Sequence, residues 1–372
     1  MNALPVQGRV RSAAGNNRVA RRRQSVTIKH VAADAGVSLQ TVSRVINNEA
    51  NVRPAMKERV QASIDRLGYV PSIAAQRMSG SRSYLILSIN DRDRTVADWR
   101  AREGSDWVAQ MLLGGMLTCA EHGYRLMIEL VDTHDDHIER GLQAALSALR
   151  PDGVILTPPF SDDPRILSLL EKRDVPFVRI GAGGAPGGIR ITMNDYGSAR
   201  EATRYLADLG HARIAFITGS KEYSLAHRRR EGWSDAMTEL GLDTAGLERG
   251  GDFSRASGAR AARELLSLDN RPTAIVASND QMAFGVMEVA QERGLAIPED
   301  LSLISFDNSP MTRFTSPQIT AIDQPIAETA ARAIEMLMVA RDPDATIPDG
   351  PVNIPGRLIE RGSTAAPPVG SD

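Results

Sequence analysis

The stretch VTIKHVAADAGVSLQTVSRVINN, residues 26–48, sets two short amphipathic segments on either side of a glycine. Thr27 can cap a helix that turns Ile28, Val31 and Ala32 to one side. Gly36 stops that helix, since glycine tolerates the left-handed backbone a tight turn needs. Ser38 then caps a second helix with Val42, Val45 and Ile46 on one face. A third helix opens at Pro54 and closes at Gly68, with Val60, Ile64 and Leu67 as its apolar stripe. Three short helices with a glycine turn between the first two form a helix-turn-helix unit. In such a unit the second helix offers its first turns to base edges in the DNA major groove. Here those positions hold Leu39, Gln40 and Arg44. Glutamine pairs with adenine, arginine with guanine, and leucine can touch a thymine methyl. Thr27, Ser38, Thr41, Ser43 and Asn47 supply small donors suited to phosphate oxygens. An ordinary three-helix surface domain is the weaker reading, because turn, caps, polar face and charge all agree.

The charge distribution supports this reading. The chain has 372 residues and a net charge of -2. Residues 1–82 carry 12 Arg and 2 Lys against 2 Asp and 2 Glu, a net +10 that leaves −12 for the rest. A basic head on an acidic body implies that only the head meets a polyanion. Residues 1–24 are Arg-rich, polar and aperiodic, and read as a tail without fixed structure. They lack the apolar core of a secretory signal. No apolar run is long enough to span a membrane. The single cysteine, Cys119, excludes an intrachain disulfide and fits a reducing cytoplasm.

Beyond the head, Pro71 opens a short connector, PSIAAQRMSGSRS. From Tyr84 onward, apolar runs of strand length alternate with amphipathic helices. The runs include YLILSI (84–89), RLMIEL (125–130), GVILT (153–157), PFVRI (176–180), RIAFITG (213–219), AIVAS (274–278) and LSLISF (301–306). Helices are expected near 106–122, 137–149, 163–172, 197–209, 229–240, 255–267, 281–293 and 325–340. That alternation predicts parallel sheets with helices on both faces. Some 280 residues is large for one open sheet, so two doubly wound subdomains are expected. Ligands of such folds sit in the crevice at the carboxyl ends of the strands.

The head motif, with NVRPAMKERVQASIDRLGYVPSIAAQRM after it, resembles the LacI/GalR family of transcription regulators. The resemblance runs from about residue 26 to 362, through DGVILTPP (152–159), LGHARIAFITG (209–219), SNDQMAFG (278–285), IPEDLSLISFDN (297–308) and ITAIDQP (319–325). It implies a hinge helix that folds on the operator, with Gln76 and Met78 at the DNA and Met78 wedged into the minor groove. His30 stands where the family commonly has an acid, so capping there should differ. The resemblance also implies a periplasmic-binding-protein type of body that binds an effector, a sugar or sugar derivative, between its subdomains. The chain would cross between them near 210, 324 and 352. Effector contacts carry over to Arg229, Phe253, Asn279, Asp307 and Gln324, and Trp107 takes an aromatic position. Planar Arg, Asp and Asn groups suit sugar hydroxyls, and a ring suits the apolar face of a sugar. Arg229 is one of three consecutive arginines, Asn279 and Asp307 could be strand-end caps, and Phe253 could be plain core. The segment 90–107, NDRDRTVADWRAREGSDW, is longer and more charged than the family's usual Asn-Pro-aromatic link. Asp91 and Trp99 within it are further candidates for the pocket.

The expected organisation is α/β: a tail over 1–24, a three-helix helix-turn-helix domain over 25–70, and a hinge helix over 71–82. Two doubly wound parallel-sheet subdomains follow over 83–363, then a structureless tail over 364–372. The partners implied are double-stranded operator DNA, a small-molecule effector and a second copy of the chain, without the tetramerising helix some members carry. No cofactor, metal or membrane partner is expected. His134 and His137 among acids read as a solvated junction, not a metal site. GAGGAPGG (181–188) leads into the strand-like IRITM, not a helix, and so lacks phosphate-cradling geometry. A transporter's solute receptor would suit the body but not the head. An α/β enzyme would need an acid–base pair or nucleophile that these residues do not supply.

Overall fold

The computed structural model describes residues 26–46, 51–69, 82–104, 106–133, 138–184, 186–341 and 346–368. The expected tail over 1–24, nearly all of the hinge with Gln76 and Met78, and Asn47, His134 and His137 lie outside the described residues. The chain divides into two compact units between Ser81 and Arg82.

The first unit holds α1 (Ile28–Ala35), α2 (Leu39–Ile46) and α3 (Pro54–Leu67). Val31, Ala32, Ala35, Val42, Val60 and Tyr69 form its small core. Gly36 turns the chain at φ 62°, and Arg59 from α3 donates to the Gly36 carbonyl at 3.1 Å. Arg66 of α3 pairs with Asp34 of α1. These polar ties supplement a core too small to fix the helices alone.

The second unit contains two six-stranded sheets. The first comprises β1 (Leu85–Asp91), β2 (Arg125–Val131), β3 (Gly153–Leu156), β4 (Phe177–Ile180), β5 (Ile189–Thr192) and β11 (Val352–Asn353), in the order β11-β5-β4-β3-β1-β2. The second comprises β6 (Ile214–Thr218), β7 (Glu248–Gly250), β8 (Ala274–Ala277), β9 (Ser302–Asp307), β10 (Thr320–Asp323) and β12 (Arg357–Ile359), in the order β12-β10-β9-β8-β6-β7. Every pairing is parallel except β10 with β12. Strand alternation divides the first subdomain's core in two. Ile86, Ile155 and Val178 face α5 (Asp106–Glu121) and α12 (Ile326–Ala340). Leu87, Val154 and Leu156 face α6 (Ile138–Leu149) and α7 (Pro164–Lys172). Cys119 is buried on the α5 side, and burial pushes its thiol up to about 12. The second sheet carries α8 (Asp195–Asp208), α9 (Ser224–Glu239), α10 (Arg255–Leu265) and α11 (Asp280–Glu292).

The structure departs from the sequence expectations in three places. The first crossing between subdomains falls at Met193–Asn194, not near 210. The reason is that α8 packs on α9 and the second sheet, where Ala199, Ala202 and Leu206 are fully buried. The charged segment after β1 forms a helix, α4 (Arg92–Ala101), capped by the Asp91 carboxylate on the Arg94 amide at 3.1 Å. The chain also remains packed past Thr364. The Ala365 amide donates to Ser302 Oγ at 3.0 Å, and its carbonyl lies 2.9 Å from His211 Nε2.

Gly114 tests the packing of α5 on α12. A Cβ there would stand 1.8 Å from the Ala327 carbonyl oxygen, which a helix backbone cannot yield. Gly114→Ala should lower stability by about 1–3 kcal/mol or more. Gly141→Ala, where a Cβ meets nothing within 4 Å, should instead raise it by roughly 0.5–1 kcal/mol. Thermal denaturation of the two variants beside the parent checks both signs.

Candidate functional site

In the head, the first turn of α2 is an exposed polar ledge. Ser38 Oγ accepts the Thr41 amide at 3.1 Å and meets the Thr41 hydroxyl at 2.9 Å, which fixes the start of the helix. Ser38, Gln40 and Arg44 are exposed, and Thr41 and Ser43 are half-buried. Leu39 stands 44 % exposed on the same ledge. Thr27 caps α1, and its amide donates to His30 Nδ1 at 3.0 Å. The imidazole thus takes the part that a carboxylate plays in a capping box.

In the body, a crevice opens at the carboxyl ends of both sheets. The first subdomain contributes Asn90 and Asp91 from β1, Arg94 and Asp98 from α4, and Asp106 and Trp107 from α5. The second contributes Tyr223, Arg229, Phe253, Asn279, Asp307 and Gln324. The floor is a buried ion pair. Arg229 Nε donates to Asp195 Oδ1 at 2.8 Å, both side chains being 3 % exposed. The same guanidinium bonds the Ser278 carbonyl and lies 4.4 Å from the centre of the Phe306 ring. Gln324 Nε2 donates to the same Asp195 oxygen at 3.2 Å.

Phe253 stands over this floor with a left-handed backbone, φ 67°. Two donors hold its carbonyl: Asn279 Nδ2 at 2.9 Å and Arg94 at 3.1 Å. Its ring meets Tyr223 edge-on at 5.4 Å. The ring lies where a Cβ on Gly219 would fall, 2.0 Å from Phe253 Cζ. Several bonds cross between the subdomains at the rim. Arg94 donates to the Asp252 carbonyl at 2.6 Å, Tyr223 donates to Asp91 at 3.0 Å, and Ser224 donates to Asp162.

The crevice is acidic. Burial, with the charge of Asp307 beside it, pushes Asp280 up to about 7 against the bonds from Ser305 and Ser309. Burial likewise pushes Asp307 up to about 6, opposed by the Arg229 and Arg94 guanidiniums and aided by Asp195 and Asp106. Asp98 is raised by burial, which outweighs its pairing with Arg94. Among the described residues, no group of three or more His, Cys, Asp or Glu could hold a metal ion.

The profile described as bacterial regulatory proteins, lacI family, matches residues 27–72. That of a periplasmic binding protein-like domain matches residues 203–364. Catabolite control protein A of Priestia megaterium is 32% identical over 345 residues, spanning 91% of this chain and 99% of that protein. The chain belongs to the lacI family of bacterial regulatory proteins. Among solved structures, the lac repressor dimer bound to operator and the anti-inducer ONPF superposes with a TM-score of 0.74 at 26% identity, covering 92% of this chain and 100% of that one. A transcriptional regulator CelR–cellobiose complex gives 0.69 at 28%, covering 91% and 99%. As a lacI-family member the chain is a DNA-binding transcription regulator whose body has the fold of a small-molecule receptor.

All six residues singled out in the body line one crevice. Of the three arginines, Arg229 is the buried one. Arg228 pairs with Glu231 and Arg230 with Glu248 at the surface. Asn279 spends its side chain structurally, capping α11 through the Met282 amide at 2.9 Å and holding the Phe253 carbonyl. Phe253 is both core and crevice wall. Asp91 lines the crevice, whereas Trp99 points away and is 48 % exposed. Sequence reasoning missed Arg94, Asp98, Asp106, Tyr223 and Asp280. Asp280 sits in the SNDQ motif and could have been read with Asn279. The α4 residues carried no signal, since that helix has hardly any apolar face.

Replacing Asp195 with Ala strands a buried guanidinium. The loss should be about 3–5 kcal/mol, measured by denaturant unfolding. A second expectation concerns pH. Asp280 and Asp307 keep protons in the folded state at pH values where the unfolded chain, with carboxyls near about 4, has lost them. Their contribution to stability is full below that value and is lost as pH rises through about 6 and about 7. His211, held low by burial, acts in the opposite sense as pH falls. The readout is therefore the melting temperature of Asp307→Asn minus that of the parent. This difference should grow from pH 5 to pH 8, and a flat difference would contradict the assignment.

Proposed function

We propose that the chain is an effector-controlled repressor. A two-fold dimer reads the halves of a near-palindromic operator through α2, and a small carbohydrate bound in the crevice alters that affinity. One observation carries the reading: a single chain joins an exposed, capped helix of groove-reading residues to a crevice lined by Arg229, Phe253, Asp307 and Gln324. Gln40 and Arg44 are assigned to base edges, with Thr27, Ser38, Thr41 and Ser43 at phosphates. In the crevice the polar groups meet sugar hydroxyls, while Phe253 and Trp107 supply apolar faces. Named relatives support this, one solved with operator DNA and one with cellobiose. The crevice residues read as binding groups, and named relatives are a ribose operon repressor and a transcriptional regulator, so the reading is regulator and not enzyme. A cytoplasmic location follows if the operator-binding reading holds. None of the helices among the described residues is long and apolar enough to cross a membrane.

The dimer surface is assigned to α5 and the edge strand β2. Leu113, Met116 and Leu117 form an i, i+3, i+4 ridge on α5, each more than half exposed, and Met127 of β2 is also exposed. An apolar ridge of this kind on a regulator that reads two half-sites suits a second copy.

Selection from a random duplex pool tests the reading. An enriched near-palindrome is expected, and retention without any motif would overturn it. Gln40→Ala and Arg44→Ala should each weaken specific binding by about 1–3 kcal/mol, relaxing one position per half-site. Leu117→Glu should halve the mass seen by ultracentrifugation and reduce operator affinity with it. An unchanged mass would move the interface elsewhere.

A further inference from the structure

We propose that the effector carries a protonated amine, as an amino sugar does, received by Asp106 and Asp307 from opposite walls of the crevice. The proposal rests on the reading of the crevice as the effector site. It follows from which charges there are already matched. The lining acids are Asp91, Asp98, Asp106, Asp280 and Asp307, against two bases, Arg94 and Arg229. Both bases are committed. Arg94 pairs with Asp98 at 2.9 Å and spends its other nitrogens on the Asp252 and Phe253 carbonyls. Arg229 pairs with Asp195. Asp91 accepts from Tyr223 and the Arg94 amide, and Asp280 from Ser305 and the Ser309 amide.

Asp106 and Asp307 differ from these. Neither carboxylate has a hydrogen bond or ion pair among the described residues, and each lines the crevice. Asp106 opens α5 in the first subdomain, and Asp307 closes β9 in the second. A separate observation points the same way. Gln324, 7 % exposed, has an Oε1 with no donor. It lines the same space. The wall therefore holds a buried acceptor in want of a donor beside two carboxylates that no hydrogen bond or ion pair engages among the described residues.

An ammonium group answers both needs, bringing three N–H donors and one positive charge. A neutral sugar would supply donors but leave the charge. A phosphate or carboxylate on the ligand would face two carboxylates with no uncommitted cation in reach. The rings of Trp107, Tyr223 and Phe253 line the same crevice and favour a cation over an anion.

The test is calorimetric titration of the full chain with glucosamine, galactosamine and mannosamine, beside the parent hexoses, their 6-phosphates and their uronic acids. At least one amino sugar should bind roughly 10- to 100-fold more tightly than its parent hexose, the gain expected of a charge-assisted bond. Asp106→Asn and Asp307→Asn, nearly isosteric, should each shrink that amine-to-parent ratio. Equal or tighter binding of a parent hexose, a phosphate or a uronate would overturn the charge assignment while leaving the carbohydrate reading intact. Binding of nothing in the panel would overturn both.

Discussion

The Asp195 carboxylate is the point on which the body turns. It begins α8, immediately after the chain first passes from one subdomain to the other. One of its oxygens takes Arg229 from α9 and Gln324 from the second crossing. The third crossing is tied to the first by the backbone, through the Ile354 amide on Thr192 and the Gly356 amide on Met193. Three separate passes of chain are thus bonded to one another directly beneath the crevice. An isolated charge at that depth would be prohibitive, and the ion pair is tolerable because carboxylate and guanidinium both find further polar partners. A change in the angle between subdomains must act on these few residues, and a ligand above them lies within reach of the same network.

The rim follows a different logic. Contacts from α4 and Tyr223 to the opposite subdomain are single hydrogen bonds to carbonyls and a carboxylate, one exposed and two part-buried. Such bonds contribute little net stability each, whereas breaking the buried ion pair of the floor costs more. The left-handed Phe253 sits between floor and rim, held by one donor from each subdomain. A ligand that displaces or tightens this residue would touch both walls at once. That offers a physical route from occupancy to subdomain angle without an extended chain of intermediaries.

Much of this was legible in the chain itself. Continuous apolar runs in the strands, buried on both faces, and period-3.6 burial in the helices made the two-sheet body readable. The head was readable for another reason: caps and turn glycines at Thr27, Gly36, Ser38 and Gly68 are local chemistry. The candidates Arg229, Phe253, Asp307 and Gln324 came from motif resemblance, and the fold brings them to one place. What stayed hidden was non-local. The segment holding Arg94 and Asp98 has charges on every side, so no periodicity betrays a helix. The first crossing was misplaced because α8 looks alike whichever sheet it covers. Only the partner surfaces of α9 and β6 decide between them.

The sequence by itself determined the helix-turn-helix head, the alternation that builds two parallel sheets, and the segregation of basic head from acidic body. These are properties of neighbouring residues and of composition. Tertiary structure alone decided which carboxylates are neutralised and which are not. Asp98, Asp195 and Asp307 are indistinguishable as letters. One faces Arg94, one is buried against Arg229, and one closes a strand with no hydrogen-bond donor in reach among the described residues. Charge, donors and solvent at a site are set by residues far apart in the chain, and only the closing of two sheets over a shared crevice assigns them.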